Sequence, residues 1–550
     1  MDAQRGAGVV ALLTLVAACS SGGSSGGTIT PPQPVPPFSS VQQIRVSQPT
    51  TFAPGCDGVA SPVGTLYPDT AVEPSLVANP FNATNLVAAW QQNRWSNGGA
   101  QGLVLAYSVG GGTGWAFSSP PFSRCTDGNA ANLGDYARAS DPWLTVSPTK
   151  GYVYALSLSF NGTTLGPGSS SAMLVARSVD FGVTWQGTHA LIQDGAQVFN
   201  DKGSITADPT NDNYVYAVWD RMTSEVTAPT YFARTTTGGS TWETARNIYD
   251  PGSSAQTLGN QIVVLQPGDV LLDVFTEIST GVNTSSSLVR VIRSLNNGAT
   301  WSAPITISEL QSVGTSNPAP PHAPVRDGSD LVSVSAGAGA VYVAWQDSRF
   351  SMGKHDGIAL SRSTDGQTWT APVQVNGDPN VQAFTPTVNV RADGVIAVTY
   401  FDLRNNTTPS DTTLYADCWM VTSTDGGSTF SEQHLSGSFN LYNAPDAEGL
   451  FLGDYQSLVS TSGNAFLPLY AQPPPPASAG NAVSTDVFIS FPPVPAAAAV
   501  ARAFPALAAA GIELTPEARA TAAAAGTGGN EMNTSVLTAL PALAGGGGCA

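Results

Sequence analysis

An eight-residue pattern returns along the chain about every sixty residues and limits the fold more than any other feature. Ser178-Val-Asp180-Phe-Gly182-Val-Thr184-Trp185 and Ser423-Thr-Asp425-Gly-Gly427-Ser-Thr429-Phe430 share Ser, Asp, Gly, Thr and a closing aromatic at fixed places. Ser294 to Trp301 follows with Asn296 for Asp, and Thr235 to Trp242 with Thr237 there. Ser363 to Trp369 is one residue short, and Ser108 to Trp115 is the most degraded copy. Successive copies start 70, 57, 59, 69 and 60 residues apart, which is the period of a repeat architecture rather than of a hairpin.

The residue types explain the spacing. An Asp or Asn side chain satisfies turn amides, Gly supplies a positive φ, and the aromatic packs between neighbouring sheets. The pattern therefore reads as a hairpin device, not as a catalytic group. Around it a whole unit recurs: a first strand such as Pro74 to Pro80, a second such as Leu86 to Trp90, and a third running into the pattern. Second strands recur at Tyr152 to Leu158, Tyr214 to Trp219, Val270 to Phe275, Val341 to Trp345, Val395 to Tyr400 and Ala465 to Tyr470, and the last unit's third strand at Ser484 to Phe491. Gly, Pro, Ser, Thr and Val abound while Lys and Glu are scarce, which favours strands and turns. The expectation is an all-β chain: over 41–494, a single β-propeller of four-stranded antiparallel blades. Seven blades are preferred, with six if two units merge, and Val41 to Phe52 is the N-terminal strand that closes the ring.

The ends read differently. Arg5 precedes an apolar stretch that ends in Val16-Ala-Ala-Cys19, so residues 1–18 read as a lipoprotein signal peptide and Cys19 as the lipidation site. Residues 19–40 form a Ser/Gly/Pro-rich tether and 495–550 an Ala/Gly-rich tail expected to be disordered. These features predict export and a lipid anchor to a bacterial cell envelope, at the outer membrane or cell surface, as the only membrane contact. No apolar run reaches the roughly 18 residues of a spanning helix. A formal net charge of -18 excludes a nucleic-acid partner, which needs a basic patch. Export permits disulfides, and Cys56 and Cys125, both in turn-like segments, are the expected bridge. The four His residues show no ligand spacing and no EF-hand spacing occurs, so neither metal nor cofactor is expected, and a monomer is.

The recurring pattern resembles the Asp box, and from about Glu73 to Phe491 the chain resembles the sialidase (neuraminidase) superfamily of bacterial-neuraminidase-repeat proteins. The resemblance implies an exo-α-sialidase-type glycoside hydrolase that uses a Tyr nucleophile helped by Glu, with an Asp acid/base. It also implies an Arg-Ile-Pro motif, which this sequence lacks. By position, Tyr455 is the expected nucleophile, Glu277 or Glu448 its helper, and Asp141 the third catalytic residue.

A ligand site belongs at the propeller mouth, formed by loops after second strands and before first strands. Trp90 to Arg94, Trp219-Asp220-Arg221, Trp345 to Arg349 and Tyr400 to Arg404 repeat an aromatic-then-Arg signature there. Glu73, Arg138, Asp141, Asp201, Lys202, Arg326, Asp327, Asp330, Glu448 and Asp454 precede or begin first strands. The expected substrate-binding set is Arg94, Arg138, Arg221, Arg326, Arg349 and Arg404 with Asp220, Asp347 and Asp402, because paired N–H donors grip carboxylates and sugar hydroxyls. The structural alternative makes each Asp–Arg pair a salt bridge that stiffens its own loop. In function, the alternative to a glycosidase is a non-catalytic glycan- or protein-binding propeller at the cell surface. No Gly-x-Ser-x-Gly, His-Glu-x-x-His or Cys–His arrangement supports other hydrolase chemistries.

Overall fold

The computed structural model describes residues 41–281, 284–474 and 483–494. The leader, the tether with Cys19, and the tail with Cys549 lie outside the described residues. Within them, five sheets have four strands each, and a sixth joins two further groups of four at a single residue pair, Ala100 with Ala139. All strand pairs in these sheets are antiparallel. The seven first strands are Leu66–Ala78, Arg138–Val146, Phe199–Ala207, Ala255–Leu265, Val332–Gly337, Ala383–Val390 and Ser457–Ser460. One channel is lined by every one of them, for example by Leu76, Leu144, Ser204, Gln261, Val334, Val388 and Leu458. The arrangement is consistent with a propeller.

Burial explains why the units stack. Strands such as Leu86–Trp95 and Ala340–Asp347 are buried along their whole length, so both faces of the sheet must be covered. The hydrophobic clusters accordingly lie between consecutive units. Leu156 and Tyr154 of the second unit meet Val215 and Trp219 of the third, and Val341 and Trp345 of the fifth meet Leu272 and Val274 of the fourth. Leu76, Leu86 and Trp90 of the first unit meet Leu467, Leu469 and Val487 of the seventh.

The N-terminal segment pairs as Gln42–Arg45 with Asp486–Phe491, making the fourth strand of the seventh unit. It is shorter than the expected Val41 to Phe52, because Pro49 and Pro54 lack ladder donors and the chain turns away towards a bridge between Cys56 and Cys125, whose Cα atoms are 4.9 Å apart. Cys418 is a buried free thiol.

The repeated segment lies between third and fourth strands. Asp180 Oδ1 accepts from Ser178 Oγ at 2.7 Å and from Thr184 N at 2.8 Å, and Ser178 Oγ accepts from Gly182 N at 2.7 Å. Asp425 repeats the scheme with Ser423 and Thr429, whose hydrogen bonds outweigh the upward pull of desolvation and bring its pKa down to about 2. Gly182 has φ +85°, and a Cβ there would stand 2.8 Å from Val87 Cγ2 of the preceding unit. Glycine is thus required both by conformation and by the close approach of two units.

One expectation needs correction. The polar signatures expected in loops after the second strands lie largely inside them: Trp90 to Arg94 in Leu86–Trp95, Asp220 and Arg221 in Val215–Met222, Asp347 in Ala340–Asp347, and Asp402 in Ile396–Asp402. Hydrophobic periodicity marked only the apolar halves of these strands, and buried hydrogen-bond partners carry them further.

Candidate functional site

At the mouth the inner strands break register between Val72 and Ser75, Ser140 and Trp143, Asp201 and Ser204, Leu258 and Gln261, and Phe384 and Thr387. Each break is a bulge of two residues, and its first residue has positive φ: Glu73 at 52°, Asp141 at 54°, Lys202 at 47°, Gly259 at 67° and Thr385 at 50°. Bulges re-aim side chains, and positive φ at a non-glycine costs of order 1 kcal/mol or more. In three consecutive units the residue so placed is charged.

These side chains form one cluster. Lys202 Nζ pairs with Asp454 and stands 3.9 Å from Glu73 Oε1. Asp454 also receives Arg326, Nε to Oδ1 at 2.9 Å and Nη2 to Oδ2 at 2.6 Å. Glu73 accepts from Asp454 N at 3.2 Å and from Gln91 Nε2. Asp141 accepts from Lys202 N at 3.1 Å and from Ser140 Oγ at 2.8 Å. Above the cluster, Val325–Arg326 pairs in parallel with Leu450–Phe451, bringing together two long connections from different units. Two guanidiniums stand over the Phe451 ring, Arg94 at 4.8 Å and Arg326 at 4.7 Å from its centre. A Cβ on Gly453, at φ +125°, would lie 2.8 Å from Glu73 N, so the chain crosses the mouth in direct contact with the cluster.

Burial sets the charges. Glu73 is 1% exposed, and desolvation pushes its carboxyl up to about 8; Lys202 pulls it down only in part, while Asp141 and Asp454 push it further up. Asp454 is buried too, but Lys202 and Arg326 outweigh desolvation and hold it well below the usual carboxylate range. Asp201 rises to about 6, through burial and then Asp141. At neutral pH one carboxyl is therefore kept protonated beside another kept ionised, the division of labour that acid–base chemistry uses. The Tyr455 hydroxyl is buried without a hydrogen-bond partner among the described residues, and burial followed by Glu73 and Asp141 pushes it well above the usual phenol range. Its ring rests 5.3 Å from that of Trp143. No group of His, Cys, Asp or Glu among the described residues is arranged to hold a metal; Lys202 and Arg326 are the cations paired with Asp454.

Of the expected residues, the fold brings together Tyr455, Asp141, Arg94 and Arg326. Glu277 does not join Tyr455: its carboxylate accepts from Tyr249 of the third unit and, at 2.9 Å, from Arg290 of its own fourth unit, and Glu448 is exposed. Arg138 is spent on Asn97 Oδ1 and the carbonyls of Gly98 and Val63, and stacks on Trp95. Arg221 pairs with Asp194 at 2.6 Å rather than with Asp220, which accepts from Gly259 N at 3.0 Å. Arg349 and Asp347 form an internal bridge at 2.7 Å; Arg404 bonds Asp402 at 2.6 Å and Glu432 at 2.6 Å. The sequence places Glu73, Lys202 and Asp454 among the charged residues before first strands, and the fold puts them at the centre of the cluster. The available signal was a charged residue directly before Pro or Gly in Glu73-Pro74, Asp141-Pro142 and Lys202-Gly203.

No family model and no curated protein matches the sequence. Among solved structures, an α-L-arabinanase of Penicillium chrysogenum complexed with arabinobiose aligns at 12% identity and a TM-score of 0.44, over 83% of this chain and 99% of its own. The leech intramolecular trans-sialidase aligns at 10% identity and TM-score 0.41, over 70% of this chain and 79% of its own. An α-L-arabinofuranosidase of Fusarium graminearum aligns at 13% and 0.40, over 78% and 97%. These alignments do not bear on the cluster, whose chemistry follows from this chain's own residues.

Proposed function

We propose that the seven units are blades of one Asp-box propeller, closed by Gln42–Arg45, and that its mouth is the active site of a glycoside hydrolase acting on glycan termini. The observation that carries the reading is the pair Glu73 and Asp454: adjacent buried carboxyls, joined through Asp454 N at 3.2 Å, one pushed up by burial and the other held down by Lys202 and Arg326. Glycosidic cleavage needs a proton for the leaving oxygen and negative charge beside the developing oxocarbenium ion. Glu73 delivers the proton and Asp454 supplies the negative charge beside it, with Asp141 a further carboxyl of the cluster. In the exo-α-sialidase form of this reading the roles divide differently: Tyr455 is the nucleophile, Glu73 rather than Glu277 takes its proton as an ionised carboxylate, and Asp141 protonates the leaving oxygen. The units contribute unequally, since Gly259 and Thr385 occupy the bulge positions that hold Glu73, Asp141 and Lys202 elsewhere; a merely structural ring has no need of that asymmetry. The Val16-Ala-Ala-Cys19 segment supports export and anchoring at the cell envelope.

The second reading is a non-catalytic glycan- or protein-binding propeller. It is favoured by the Phe451 cover and by arginines already engaged within the chain. The test is turnover of fluorogenic aryl glycosides, a sialoside and neutral sugars alike, by the purified protein with Glu73→Gln and Tyr455→Phe beside it. Activity lost in Glu73→Gln supports the hydrolase, and loss in Tyr455→Phe as well supports its sialidase form. Silence across the panel together with glycan binding transfers the site to the second reading.

A further inference from the structure

The residue that follows the buried tryptophan of a second strand has one task in two units and another in the first. Asp220, after Trp219, accepts from Gly259 N at 3.0 Å, and Gln346, after Trp345, accepts from Thr385 N at 2.9 Å. Each thereby holds the inner-strand bulge of the following unit. Gln91, after Trp90, turns its carboxamide to the charge cluster instead. Its Nε2 donates to Glu73 Oε2 and, at 3.1 Å, to Ser140 Oγ, while its Oε1 accepts from Arg94 Nη1 at 2.6 Å. Ser140 passes the contact on to Asp141 Oδ1 at 2.8 Å. Gln91 is 0% exposed, so no solvent shares these bonds.

We propose that Gln91 is the positioning residue of the mouth, its carboxamide fixing the Glu73 carboxyl and linking it to Arg94 within the first unit and to Asp141 in the second. The inference rests on the reading of Glu73 as proton donor. A carboxamide can donate to the acid and accept from the guanidinium at once, whereas a carboxylate has no proton to give and an ammonium has no lone pair to offer. The charged and titratable groups around Glu73 are Arg94 of its own unit, Asp141 of the second, Lys202 of the third, and Asp454 and Tyr455 of the seventh, with Arg326 behind Asp454. Among these, Gln91 is the uncharged side chain bonded to the Glu73 carboxyl. A donated N–H favours the ionised acid, so Gln91 tempers the upward push of burial and sets the pH at which Glu73 gives up its proton.

Two substitutions of similar size separate the roles. Gln91→Glu keeps an acceptor for Arg94 and removes the donor to Glu73; Gln91→Met removes both. The Glu73 titration is followed by carbon NMR of the protein labelled at Glu carboxyls, with Glu73→Gln identifying the signal. The Glu73 midpoint is expected to rise by about one pH unit or more in Gln91→Met and further in Gln91→Glu, where a second carboxylate stands beside it. The alkaline limb of kcat should rise in step, and kcat should fall about tenfold with little change in KM, because geometry rather than affinity is lost. An unmoved midpoint in both folded variants overturns the positioning role. A moved midpoint in a protein that cleaves no glycoside upholds that role and removes the hydrolase reading, so the two ideas fail separately.

Discussion

Asp454 receives Arg326 through two hydrogen bonds, at 2.9 and 2.6 Å, while Lys202 closes on the same carboxylate from the third unit. This one side chain therefore ties together three separate parts of the chain.

Removing it leaves two largely buried cations uncompensated. Asp454→Asn is expected to lower stability by about 3–5 kcal/mol in urea denaturation, the usual result of deleting one partner of a buried ion pair. The sign with pH follows from the depressed folded pKa of Asp454 against its ordinary value of 3.8. Its contribution is present above that ordinary value and is lost as pH falls below it, so the gap between wild type and Asp454→Asn should narrow on acidification.

Glu73 has the opposite sign. Its carboxyl is raised from 4.5 to about 8, so between these values the folded state binds more protons than the unfolded chain and stability falls as pH rises. Glu73→Gln removes that penalty while keeping an acceptor for Gln91. Its melting temperature relative to wild type should climb from about pH 5 to about pH 8 and level off above. A difference that stays flat across that range would show that Glu73 is not held protonated.

The repeated segment can be tested away from the mouth. Gly182→Ala meets Val87 at 2.8 Å and forces a side chain to φ +85°, whereas a Cβ on Gly187 meets nothing within 4 Å. Gly182→Ala should cost about 1–3 kcal/mol, and Gly187→Ala should stay within about 0.5 kcal/mol, measured by chemical denaturation.

The bridge between Cys56 and Cys125 spans 69 residues. Replacing both by Ser should cost about 2–5 kcal/mol in chemical denaturation, because without the cross-link the unfolded chain regains conformational freedom. Cys418, buried in the core, should resist thiol reagents until the protein unfolds.

Much of the architecture was legible because its causes are local. Ser178, Asp180, Gly182 and Thr184 satisfy one another within a single turn, so the pattern can be recognised without knowing its neighbours. Strand positions followed from apolar runs such as Leu86 to Trp90. The extension of that strand to Trp95 was not legible, since Gln91 to Arg94 are polar and are buried only because Glu73, Ser140 and Phe451 come to meet them. The pairing of Arg221 with Asp194 instead of its neighbour Asp220 has the same origin: adjacent residues on a strand point to opposite faces.

By itself the sequence determined the repeat, the β class, the order of the units and a supply of charged residues at the starts of the inner strands, all properties written in short windows of chain. Only the tertiary structure decided which of those charges meet. Glu73 and Asp454 are 381 residues apart, and their shared site exists because the seventh unit packs against the first. Their opposite protonation states depend on desolvation and on Lys202 and Arg326, which reach them from other units, and no local pattern encodes that meeting.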